Sequence, residues 1–163
     1  LWGWGNSLGS KPFRLMMTFL CKTFCVLGLG HVSCGPQPKK PYILTETLKS
    51  NALTSDYEQF ERLRRIVTKN PNMNIGAPSF SWIAAADAEI RYFERVKEFP
   101  FAALVAVGSK DSLISQEVAR CRCAKAPLWH FEKFTEARHE LLIEKKEIVE
   151  ALWKRMNHFL DNF

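Results

Sequence analysis

The sequence predicts an α/β protein, with a helical first part followed by two strand–helix units of a parallel sheet. Helical periodicity runs through the first hundred residues. A continuous apolar run closed by glycine, FAALVAVG at 101–108, then interrupts it. From there the order is strand, loop, helix, strand, loop, helix, and such βαβα order builds parallel sheets covered by helices.

The 163 residues suffice to bury a core, and 47% hydrophobic with 25% charged residues is a globular composition, not a disordered one. The formal charge of +6 is a moderate surplus compatible with anionic partners. The longest positive cluster is short (Arg62, Arg64 and Arg65), so no nucleic-acid partner is expected. Five cysteines, unevenly spread, argue against a disulfide framework and for a reducing compartment. The stretch at 15–30 is broken by Lys22 and falls short of the ~20 apolar residues a bilayer crossing needs. No signal peptide is visible and the chain opens without Met, so an N-terminus further upstream is expected. That leaves localisation open, with a cytoplasmic or membrane-peripheral place expected.

Residues 1–10 read as loop. Pro12 suits a helix first turn, and Phe13, Met16, Met17, Leu20, Phe24 and Leu27 recur at helical spacing until Gly28 and Gly30. Pro36, Pro38 and Pro41 make 31–50 a long loop. Ser55 and Glu58 form an S-x-x-E capping box for a helix carrying Tyr57, Phe60, Leu63 and Val67 on one face and ending at Pro71. Another helix starts near Pro78. The run at 101–108 suits a strand buried on both faces. SLISQEVARCRCAKA reads as a helix and PLWHFEKF as a shorter strand. The last segment begins as loop and becomes a helix with Ile148, Leu152, Met156 and Phe159 on one stripe.

Ligands of open α/β sheets bind outside the carboxyl ends of the strands. Asp111 follows the first strand and His139 the second, one strand–helix unit apart. A carboxylate that orients an imidazole, and an imidazole that acts as general base, are two members of an acyl-transfer triad. On propensity alone Asp111 is a turn residue beside a helix cap and His139 a loop residue. Their placement after both strands, in Asp-then-His order, points to the triad instead.

Those residues also carry a resemblance. Gly108, Asp111, Leu113 and Ile114, followed by His139, Glu140, Leu141, Leu142 and Glu144, resemble the end of the α/β-hydrolase family, in its lysophospholipase and monoacylglycerol-lipase-like group. Asn51, Leu53, Thr54, Asp56, Phe60 and Arg62 resemble that group's lid segment, and the likeness covers most of 45–163. The resemblance implies a Ser–Asp–His triad hydrolysing acyl esters through a covalent acyl-enzyme, with Asp111 as acid and His139 as base. It implies a lid over 1–98 and the C-terminal part of the core over 99–163. The chain is thus expected to be a C-terminal fragment with a helical lid and the last two strand–helix units of an α/β-hydrolase sheet, its nucleophile upstream. The expected partner is a lysophospholipid or monoacylglycerol-type ester, with peripheral contact with an anionic membrane; no cofactor is expected.

GNSLG at 5–9 matches the G-x-S-x-G nucleophile elbow. An elbow needs a buried strand before its serine and a helix directly after. Only LWGWGN precedes Ser7, and Pro12 delays the helix, so Ser7 reads as a loop serine at the entry to the lid. Cys21, Cys25, His31 and Cys34 have zinc-ligand chemistry but depart from paired zinc spacing, and two of them fall on an apolar helix face, so no metal is expected. Cys121 and Cys123 point apart on a helix. His130 and His158 read as packing or surface residues. The other function class open to the sequence is a non-catalytic binding module that keeps the hydrolase fold.

Overall fold

A computed structural model describes residues 11–35, 40–73, 76–96 and 99–162. The chain runs through α1 (Lys11–Val26), α2 (Tyr42–Thr45), α3 (Tyr57–Lys69), α4 (Phe80–Arg95), β1 (Ala103–Gly108), α5 (Gln116–Cys123), β2 (Trp129–Phe134) and α6 (Lys146–Asp161). Single 3-10 turns lie at Pro71–Met73 and Leu141–Ile143.

β1 and β2 pair in parallel, from Ala103 opposite Trp129 to Gly108 opposite Phe134. A parallel pair needs a crossover, and α5 supplies it. The stripe predicted for the last helix is the one that packs: Ile148 and Leu152 of α6 are buried with Ala137 and Leu141, and Ala106, Phe134 and Met156 lie against them. Arg155 of α6 reaches Glu132 of β2 at 3.2 Å. Phe99 and Phe101 gather around Trp129 at the other end of the strands, with Phe99 at 4.3 Å centroid distance.

α1 packs on α4, with Phe24 stacked on Phe80 at 4.3 Å. α1 ends where Gly28 takes φ 76°, a left-handed value that costs glycine little. An antiparallel bridge between Ser33 and Ser79 ties the chain after α1 to the start of α4. Ser79 caps α4, accepting from Trp82 N.

Several local expectations are corrected. The cap of α3 is Asp56, whose side chain accepts from Gln59 N at 2.8 Å. Ser55 does not cap; its hydroxyl is drawn to Glu144 instead, at 2.6 Å. On α3, Phe60 is buried but Tyr57 is exposed. Pro41 does not exclude regular structure after it, because a proline fits just ahead of a helix, and the one-turn α2 starts at Tyr42. β1 is fully buried only at Val107 and Gly108, since α6 and the loop after β2 cover that end. α5 is shorter than predicted because Ser115 caps it, accepting from Val118 N, after Asp111 has organised a turn of its own.

Candidate functional site

The loops leaving the carboxyl ends of β1 and β2 are zipped together. Lys110 N donates to Ala137 O at 2.8 Å, Ser109 N to Phe134 O at 2.8 Å, and Glu136 N to Ser109 Oγ at 2.8 Å. Lys110 also pairs with the Glu136 carboxylate. Gly108 permits this approach: a Cβ there would lie 2.2 Å from Arg138 O and 2.4 Å from Ala137 O.

Asp111 and His139 meet across these loops. His139 Nδ1 lies 2.8 Å from Asp111 Oδ2. The other carboxylate oxygen, Oδ1, accepts from Leu113 N at 2.8 Å and Ile114 N at 3.2 Å. The Asp111 side chain is only 2% exposed, whereas that of His139 is 31% exposed. A buried carboxylate held on both oxygens sits at a fixed angle to the ring. With Nδ1 donating to it, Nε2 carries the free lone pair on the more open side. Among the described residues no partner bonds that second nitrogen. The pair can orient an imidazole and take up a proton at Nε2.

The backbone of His139 is held from the opposite side by the segment before α3. His139 N donates to Ala52 O at 3.2 Å and Glu140 N to Leu53 O at 2.9 Å. Asn51 Oδ1 shapes that segment, accepting from Leu53 N and Thr54 N at 3.0 Å each. Thr54 Oγ1, fully buried, donates to Ile143 O at 2.6 Å and accepts from Asp56 N at 3.0 Å. Arg138 points its guanidinium at the carbonyls of Leu48, Asn51 and Thr54, at 2.6 to 3.1 Å. Sequence reasoning assigned no job to Arg138 or to the Glu144–Ser55 pair. Only a charged residue directly before His139, and a second acid five residues after it, hinted at them.

The other candidates lie elsewhere. Ser7 is outside the described residues. Among the described residues no group of three or more His, Cys, Asp and Glu side chains is arranged to hold a metal ion. Cys21 is fully buried on α1, and burial together with the neighbouring Cys34 thiol pushes its pKa up to about 11. His31 is exposed. Cys123 is buried and Cys121 exposed, as expected for alternate helix positions. A hydrogen bond from Cys121 to the Glu117 carboxylate at 3.1 Å raises that thiol's pKa. A surface depression of about 330 Å³ beside it, lined by Glu94, Glu117, Val118, Cys121, Arg122 and Lys125, includes neither Asp111 nor His139. His130 stands edge-on to Phe159 at 6.0 Å, and His158 is bonded by Asn162. Among the described residues no helix is long and apolar enough to cross a membrane.

Comparison with known proteins bears on the fold around the pair. The fold matches a monoacylglycerol lipase from Paleococcus ferrophilus (TM-score 0.62, 15% identity), covering 91% of this chain and 52% of that one. It also matches a soluble variant of monoglyceride lipase from Saccharomyces cerevisiae (TM-score 0.58, 16% identity), covering 93% and 49%. This is part of an α/β-hydrolase fold. In sequence, the chain is 28% identical over 115 residues to a probable lysophospholipase L2 of Haemophilus influenzae, over 70% of this chain and 37% of that protein. No family model matches. The likeness to the lysophospholipase and monoacylglycerol-lipase-like hydrolases, read first from the residues around Asp111 and His139, is thus borne out. The chain spans about half the length of these solved hydrolases and little over a third of the curated relative.

Proposed function

We propose that this hydrolase-like chain supplies the acid and base of a Ser–His–Asp triad in a lipid ester hydrolase. Asp111 is the acid, His139 the base, and the serine lies upstream of Leu1. The observation that carries the proposal is the 2.8 Å contact between His139 Nδ1 and a buried, doubly bonded Asp111 carboxylate. In this reading His139 Nε2 takes the serine proton as the hydroxyl attacks the acyl carbonyl, then returns it to the leaving alcohol. Asp111 stabilises the imidazolium between the two steps. Water then repeats the cycle on the acyl-enzyme. Residues 1–98 form the lid and 99–163 the end of the core. The substrate is a lysophospholipid or monoacylglycerol type of ester, in keeping with the lysophospholipase and monoacylglycerol lipase that the chain resembles. The positive surplus serves peripheral contact with an anionic membrane.

The test is turnover of a short acyl ester by the reading frame that continues upstream of Leu1. His139→Ala is expected to lower kcat on the order of 10⁴-fold, with Asp111→Asn close behind. Ser7→Ala is expected to leave turnover intact. Unchanged hydrolysis in His139→Ala overturns the assignment. The absence of a partner on His139 Nε2 among the described residues also fits a non-catalytic hydrolase-derived module. A reading frame that begins at Leu1 and hydrolyses no ester would establish that alternative.

A further inference from the structure

The geometry points to Glu144 as the positioning residue of His139, and to the segment 51–56 before α3 as the element it ties to the base. This rests on the reading of His139 as base, but the contacts stand independently of it.

Glu144 lies where the chain enters α6 and is 2% exposed. Its Oε1 accepts from Arg138 N at 2.7 Å and Ser55 N at 3.0 Å. Its Oε2 accepts from Ser55 Oγ at 2.6 Å and Lys145 N at 3.2 Å. One buried side chain therefore grips the 137–138 peptide, one residue ahead of His139, and the residue that precedes the cap of α3. The circuit closes through the base itself, because His139 N and Glu140 N donate to Ala52 O and Leu53 O of the same segment.

No cation pairs with Glu144 among the described residues. The Arg138 guanidinium, which could have done so, is spent on neutral carbonyls instead. The carboxylate is thus held by direction-specific N–H and O–H donors, an arrangement that fixes peptide orientation more tightly than a charge contact does. Removing it frees the 137–138 peptide plane at its N–H, while Lys110 N still holds the Ala137 O of the same plane. The ring then turns about that anchor and loses its alignment with Asp111. A displacement of the 51–56 segment reaches the ring by the same route.

The experiment reads the imidazole ¹⁵N shifts of His139, which report its tautomer, alongside thermal unfolding of the chain. In the unaltered chain one tautomer, protonated at Nδ1, is expected. In Glu144→Ala the two tautomers are expected to mix while the β1–β2 amide signals persist. Should that variant unfold, Glu144→Gln and Ser55→Ala decide. The glutamine keeps one acceptor and loses the bond from Lys145 N, and the alanine loses the bond from Ser55 Oγ. Each is expected to mix the tautomers in part. A single tautomer in folded Glu144→Ala, or in both milder variants, overturns the proposal. In the upstream-extended protein, kcat is expected to fall on the order of 10²-fold with KM little changed, the scale of a slight misplacement of a reacting group. Mixed tautomers with undiminished turnover would count against His139 as base and not against its positioning by Glu144.

Discussion

The helical faces of the α1–α4 pair and the junction around His139 are held together by different means. The pair is joined by apolar contact, such as Phe24 on Phe80, yet leaves large side chains open: Phe19 is 70% exposed and Val26 87%. The junction buries polar groups, Asn51, Thr54, Asp111 and Glu144, and satisfies them with backbone partners. Apolar contact tolerates sliding and substitution, whereas a satisfied polar network admits one arrangement and is costly to leave half-made. The orienting geometry belongs to the second kind.

The contrast breaks most sharply at Gly108. Gly108→Ala would force a Cβ into the Arg138 and Ala137 carbonyls. A loss of roughly 3 kcal/mol or more is expected in urea unfolding, because backbone, not a flexible side-chain tip, must move. Thr54→Val keeps shape but strands Asp56 N and Ile143 O, and should cost about 1–3 kcal/mol by the same measurement. On the helix pair, Phe19→Gln should change stability by no more than about 0.5 kcal/mol, since the ring is mostly in water. If Phe19→Gln proved as costly as Thr54→Val, the two regions would not differ as described. The smallest effect is chemical. Glu117→Gln should speed alkylation of Cys121 by a few-fold at mildly alkaline pH, because the carboxylate that raises the thiol's pKa is gone.

Much of the junction's framework was legible in the sequence and its bonding was not. The apolar run at 101–108, the second strand and the Ile148–Leu152 stripe follow from periodicity, and the structure keeps them, although the second strand, expected to be the shorter, is as long as the first at six residues. The approach of Asp111 to His139 follows from their places after adjacent parallel strands. The roles of Ser55, Arg138 and Glu144 do not follow, because the bonds that join Ser55 to Glu144, and the Arg138 guanidinium to Leu48 and Thr54, span 84 to 90 residues along the chain. Local rules assign Ser55 to a capping box, and locally that is reasonable. Tertiary competition from Glu144 wins it, and Asp56, one residue on, takes over the cap.

That separation along the chain also sets an order of assembly. β1, α5 and β2 close a short crossover, so their contacts cost little loop entropy. The bonds from Arg138 to Leu48 and Asn51 must enclose the whole intervening chain, α3 and α4 included. Such contacts form late and open early, and the opening need not disturb the strands. In hydrogen exchange, the amides of His139 and Glu140 would then lose protection at a lower free energy than those of Val105 and Val107. The base would sit on the last part of the chain to be locked and the first to be released.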